Sequence, residues 1–178
     1  MIIGIDPGIT GGMAYYDPAL NYLRVDRLPV QWRLVNGKKR HEIDVKEFFT
    51  RLKDCPVTIH TVICEEPHAM PGAGAASQFS FGSTCGAIRA ALACLSTIRH
   101  IDRILYVDPS AWKTAIKCPS DKHRARALAQ QTFPDYAGQF DAASSDGMAE
   151  AALMAWYAAN TAEIKQKTRT AVTRRARA

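Results

Sequence analysis

The run Met1-Ile2-Ile3-Gly4-Ile5-Asp6-Pro7-Gly8-Ile9-Thr10-Gly11-Gly12-Met13-Ala14-Tyr15-Tyr16 constrains this chain more than any other stretch. An apolar run ends in an aspartate, turns at a Pro-Gly corner and resumes as a second run closing on Met-Ala-Tyr-Tyr. That pattern reads as a buried strand, a glycine-bearing turn and a partner strand. Asp6 then sits at the end of a buried strand, where an ionised carboxylate needs something cationic to meet it.

The following residues predict the rest of a mixed sheet. Asp17-Pro18-Ala19-Leu20-Asn21 has turn composition, so a third strand returns antiparallel to about residue 28. Residues 31–41 read as a loop or short hairpin with a basic tip. Asp44 caps a helix through about Asp54, with Val45, Phe48, Phe49 and Leu52 at helical spacing. Thr58 to Glu65 is a β-branched strand ending in an acid, and residues 66–77 are too rich in Gly and Pro for regular structure. A helix of small residues is expected from Gln78 to Ile98, buried against the sheet or a second subunit. Ile104–Val107 forms a short strand. Pro109 opens one helix, Ser120-Asp121-Lys122 caps another through Phe133, residues 134–143 form a loop, and Asp146–Asn160 make an Ala-rich helix. The expected fold is α/β: a mixed five-stranded sheet, three antiparallel strands then two parallel, flanked by helices.

This order brings acids together. A strand that follows the first through a helical crossover lies parallel beside it, which sets Asp6 and Glu65 side by side. Asp146 and Glu150 are four apart and share one helical face. Four converging carboxylates repel without cations. An oxygen-only donor set suits Mg²⁺ or Mn²⁺, and no Cys/His spacing favours zinc. Two such ions roughly 4 Å apart form a clamp for phosphodiester hydrolysis. Each acid also has a plainer reading. Asp6 fits a turn, Glu66 competes with Glu65 for the inward position, Asp146 fits a helix N-cap, and Glu150 fits an exposed helix face. The convergence of all four, not any one, carries the metal reading.

The totals narrow the class. With 178 residues, 47% of them hydrophobic, the chain suits one domain with a sizeable core. It has no run of 18 apolar residues, the length a membrane span needs. Its five cysteines form no C-x-x-C pair, and the N-terminus lacks signal-peptide character, so a cytoplasmic protein with reduced thiols is expected. The formal net charge of +6 is concentrated at the end: residues 161–178 hold six basic residues against Glu163 alone. That segment is expected to be a disordered basic arm after a domain spanning 1–160, and it points to a polyanionic partner.

Several motifs together resemble a known family. The opening Ile-Gly-Ile-Asp6-Pro-Gly-Ile-Thr-Gly-Gly is similar to that of RuvC-like Holliday junction resolvases, which have an RNase H-like fold. Cys64-Glu65-Glu66-Pro67-His68-Ala69-Met70-Pro71-Gly72 resembles the second acidic motif, especially of phage and prophage members, and the likeness continues through Ser77–Gly82 and Gly86. Pro109-Ser110-Ala111-Trp112-Lys113 with Asp121-Lys122 resembles the lysine-bearing segment, and Asp146-Gly147-Met148-Ala149-Glu150 the C-terminal acidic helix. The resemblance spans about residues 1–158. It implies a Mg²⁺-dependent homodimer that nicks four-way DNA junctions symmetrically, with Asp6, Glu65, Asp146 and Glu150 as metal ligands. Lys122 and Lys113 would face the scissile phosphate, with Arg124 and His68 also on DNA. Two departures stand out. The Asp-x-x-Asp pattern of many bacterial members is absent, leaving Asp141 as a substitute ligand. His68 stands where those members carry an aromatic, so base stacking and a phosphate contact are both open to it.

Two other classes are weighed against this reading. One is a non-catalytic nucleic-acid binding module with the same fold, which gains nothing from acids facing phosphates. The other is an ATPase of the actin and sugar-kinase type, whose first loop Asp6-Pro7-Gly8-Ile9-Thr10 also satisfies, but which needs two lobes around its nucleotide.

Overall fold

The structure, a computed structural model, describes residues 1–66, 72 and 74–175, with the backbone alone from 162 onward. Five strands form the main sheet: β1 (Ile2–Asp6), β2 (Gly12–Asp17), β3 (Tyr22–Arg27), β6 (Ile59–Glu65) and β7 (Ile101–Val107), in the order β3-β2-β1-β6-β7. The pairs β1–β2 and β2–β3 are antiparallel, and β1–β6 and β6–β7 are parallel. This is the mixed sheet expected from the sequence, three antiparallel strands followed by two parallel ones. A separate hairpin, β4 (Val30–Val35) and β5 (Lys38–Ile43), stands outside that sheet.

Strand alternation decides which layer each side chain enters. Ile2 and Ile63 join the core on one face, while Ile3, Ile5, Val62 and Cys64 join the core on the other. By the same alternation Gly4 and Asp6 follow Ile2, and Glu65 follows Ile63. The first face is covered by α3 (Pro109–Ile116), α4 (Lys122–Thr132) and α5 (Asp146–Arg175). The second is covered by α1 (Val45–Lys53) and α2 (Ala75–Ile98).

Helix α5 lies unusually close to β1 and β2, because glycines leave room for its backbone. A Cβ at Gly4 would stand 2.0 Å from the Ala151 carbonyl oxygen, and one at Gly147 would stand 2.5 Å from the Gly11 Cα. The helix answers with Ala149, Ala151, Ala152 and Ala155, all fully buried. Helix starts follow their caps: Asp44 accepts from the Glu47 N–H at 2.9 Å, Asp108 from Ser110 at 2.7 Å and Asp121 from Arg124 at 2.8 Å.

Several boundaries differ from expectation. Residues 30–43 form a regular hairpin, turned at Asn36 and Gly37, both at positive φ. Helix α2 begins at Ala75, since Ala-Ala-Ser continues a helix once Gly74 has turned the chain, and β7 begins at Ile101. Residues 134–140 and 143–145 form short 3₁₀ turns. The backbone of α5 runs past Asn160 to Arg175, through most of the segment expected to be a disordered basic arm. Only one face of α2 is buried, through residues such as Ile88, Leu92 and Leu95; a Cβ at Gly82 or Gly86 would meet nothing within 4 Å.

Candidate metal centre

Asp6 ends β1 and Glu65 ends β6. The parallel register pairs Ile5 with Cys64, so the next step along both strands sets Asp6 beside Glu65. Alternation turns both toward α5, which delivers Glu150 from its second turn. One carboxylate oxygen from each of Asp6, Glu65 and Glu150 lies within 4.8 Å of the other two. Glu65 and Glu150 are buried and Asp6 partly so. The choice between Glu65 and Glu66 is settled by the same alternation: Glu66 is exposed and binds the Arg89 guanidinium through both oxygens at 2.7 Å.

Each acid of the cluster has a neighbour that orients it. The Gly8 N–H donates to Asp6 Oδ1 at 3.3 Å. The indole N–H of Trp112, a fully buried residue of α3, donates to Glu65 Oε1 at 2.9 Å. The next residue, Lys113, places its Nζ 3.1 Å from Glu150 Oε1. Burial alone would pull the Lys113 ammonium down, but its attraction and hydrogen bond to Glu150, with Glu65 nearby, leave it raised.

The Asp6 carboxyl is pushed up to about 7, first by burial and then by the charges of Glu150 and Glu65; the Gly8 N–H and the Lys122 ammonium work against the rise. The cluster therefore resists full ionisation around neutral pH. Three converging oxygen donors whose mutual repulsion a positive charge would relieve fit a hard divalent cation.

The remaining residues singled out in the sequence fall around this centre. Asp146 is not among the three clustered carboxylates. It begins α5, and its Oδ1 forms an ion pair with the Arg126 guanidinium from α4. Asp141 accepts from the Gln130 side-chain amide at 2.9 Å and is likewise outside the cluster. Lys122 opens α4, is exposed, and is near enough to act on Asp6. Arg124 is exposed one turn behind the Asp121 cap, and its backbone N–H bonds that cap. His68 lies outside the described residues. Sequence reasoning missed Trp112 and Arg126 as site partners. Trp112 stood beside Lys113 as a signal of a buried anchor, whereas Arg126 was one of several cations on a basic helix with nothing to single it out.

No protein-family profile matches this chain, and no curated protein does either. The fold is similar to that of RuvC from Thermus thermophilus. A structure of that protein in complex with a Holliday junction substrate aligns with a TM-score of 0.45 at 17% identity, covering 88% of this chain and 94% of that one. A second structure of RuvC from the same organism aligns with a TM-score of 0.44 at 18% identity and the same 88% and 94% coverage.

Proposed function

We propose that this chain is a metal-dependent endonuclease of the RuvC-like type, acting on branched DNA and above all on four-way junctions. The observation that carries the reading is the register match that sets Asp6 beside Glu65 at the ends of two parallel strands, with Glu150 delivered across them. The sequence motifs that resemble the junction resolvases fall on these same residues.

Asp6, Glu65 and Glu150 would hold the divalent ions, with Mg²⁺ the natural occupant and Mn²⁺ a substitute. Such ions supply an activated water for attack on the phosphodiester and stabilise the leaving oxygen. The protein's own groups do the positioning. Trp112 fixes the orientation of Glu65, and Lys113 neutralises the outer oxygen of Glu150. Exposed Lys122, close to Asp6, is placed to meet a backbone phosphate and its developing charge. The Arg126–Asp146 pair holds the first turn of α5, so that Glu150 arrives where the strand ends need it. We assign Asp146 a supporting role first and a metal-ligating role only through rearrangement of that pair. The domain of residues 1–160 pairs with a second copy through the open face of α2, where Gly82 and Gly86 leave room for a close helix approach. Residues 161–178 add electrostatic affinity for DNA.

The test is nicking of a synthetic four-way junction, a Y-fork and a linear duplex by the purified chain in Mg²⁺ or Mn²⁺. Symmetric nicking of the junction, lost in Asp6→Asn while junction binding persists, is expected. Full cleavage by Asp6→Asn would overturn the assigned role. Tight junction binding with no cutting across titrations of both metals would favour a non-catalytic binding module instead. Sedimentation of Gly86→Leu as a monomer, against a wild-type dimer, tests the pairing face.

A further inference from the structure

The β4–β5 hairpin is built in a way its own stability does not explain. Arg33 stands directly opposite Arg40, Leu34 opposite Lys39 and Val35 opposite Lys38. Like charges opposed across two strands are destabilising, and an isolated two-stranded hairpin is marginal in water to begin with. Residues 30–43 carry Arg33, Lys38, Lys39 and Arg40 against Glu42 alone. That glutamate is committed to Arg33 and, at 3.4 Å, to the Gln31 amide. Among the described residues Lys38 and Arg40 have no ion-pair partner. Two apolar side chains stand in water on the outer face, Trp32 at 55% and Leu34 at 64% exposure, and the Lys39 ammonium lies 4.5 Å over the Trp32 ring. The opposite face, with Arg33 and Arg40, borders a groove of about 670 Å³ against the first half of α2 near Phe79.

The hairpin is also tied to the metal centre. Just before it, the Leu28 N–H donates to the Gly11 carbonyl at 3.2 Å, and just after it the Asp44 N–H donates to Pro29 at 2.9 Å. Gly11 belongs to the turn that follows Asp6 and bridges to Gly147 at the start of α5. The base of the arm is therefore hydrogen-bonded to the turn that follows Asp6.

We infer that the hairpin is a DNA-contacting arm: Trp32 with Lys39 on its outer face lies against the sugar and base edges of one strand, and Arg33, Lys38 and Arg40 on the opposite face take backbone phosphates of the strand running along the other side of the arm. A polyanion relieves the Arg33–Arg40 opposition and the uncompensated charge of Lys38, and an exposed indole supplies the flat contact that nucleic acids accept. The arm deepens the nuclease reading, on which its place in catalysis rests, but its contact with DNA does not require cutting.

The experiment measures binding in EDTA, so that no strand is cut, by anisotropy of a labelled four-way junction across a KCl series. It compares the wild-type chain with Lys38→Ala/Arg40→Ala and with Trp32→Ala. The double variant is expected to bind about 10-fold more weakly, with the slope of log affinity against log salt reduced by about 2. Trp32→Ala is expected to bind about 5-fold more weakly at an unchanged slope, and the change in tryptophan fluorescence expected when the wild-type chain meets DNA should be lost in Trp32→Phe. Unchanged melting temperatures confirm that the variants fold. Affinity and slope equal to wild type in both variants overturn the inference, and so does hairpin-dependent binding to phosphatidylserine vesicles without hairpin-dependent binding to DNA. A junction that is cut normally while the variants bind like wild type overturns the arm and leaves the nuclease standing. A junction that stays uncut while binding depends on the hairpin does the reverse.

Discussion

Trp112 and Glu65 are joined by a hydrogen bond from the indole N–H to Oε1 at 2.9 Å, with the whole indole buried beneath the carboxylate cluster. A group packed into the core thus sets the angle of a carboxylate at the surface of the site. Trp112→Phe keeps most of the apolar volume and removes the donor. It should cost about 1–2 kcal/mol of stability, the penalty for a buried acceptor losing its partner. It should also weaken divalent-metal binding measured by calorimetry. A variant of wild-type metal affinity would show that Glu65 is oriented from elsewhere.

The raised Asp6 carboxyl gives the metal-free protein a pH dependence with a definite sign. The folded state holds this proton up to about pH 7, whereas the unfolded chain releases it near the ordinary value of 3.8. Between those values the folded state binds more protons, so stability falls as pH rises. The metal-free melting temperature should therefore drop between pH 5 and pH 7.5. Mg²⁺ or Mn²⁺ should raise it more at pH 7.5 than at pH 5. Asp6→Asn should flatten the pH profile and raise the metal-free melting temperature at pH 7.5 by about 3 °C.

Glu150 and Asp146 should separate in a metal titration. Glu150→Gln removes one of the three clustered carboxylates, and affinity should fall at least about 10-fold. Asp146→Asn should leave affinity within about 3-fold. Its main effect should be loss of stability, about 1–3 kcal/mol, because it strands the Arg126 guanidinium, whose side chain is only 13% exposed. Equal losses of affinity would place Asp146 among the ligands.

Gly147→Ala tests the close approach of α5 to the sheet. Its Cβ would stand 2.5 Å from the Gly11 Cα and 2.6 Å from the Thr10 carbonyl oxygen, both backbone atoms that cannot swing aside. A loss of about 3 kcal/mol or more is expected, at the upper end for overpacking, with metal affinity reduced as Glu150 moves. Gly86→Ala, which meets nothing within 4 Å, serves as the control and should leave stability within about 1 kcal/mol.

Much of this architecture was legible in the sequence because it rests on local rules. The strand order followed from short turns and one helical crossover, and the pairing of Asp6 with Glu65 followed from where two apolar runs stop. Asp44 and Asp121 announced their helices as caps. Asp146 was harder to place. Residues four apart share a helical face, so the spacing alone does not say which of the two joins the strand-end acids. Which one does so depends on how deeply α5 sits in its glycine-lined bed and on Arg126 arriving from α4, and neither has a local sequence signal. The contact between Trp112 and Glu65, 47 residues apart, is invisible for the same reason. The segment read equally as a loop or a hairpin because β5, Lys38-Lys39-Arg40-His41-Glu42, is polar on both faces and lacks the alternation that β4 shows at Val30, Trp32 and Leu34.

The cluster draws its acids from positions 6, 65 and 150, and the last of these rides on the final helix. During synthesis the first two strand ends are made early, but the third acid emerges only after almost all of the domain has been translated. A nascent chain stopped before α5 holds two carboxylates and an uncovered sheet face, so the three-carboxylate cluster is completed only as a late event of folding.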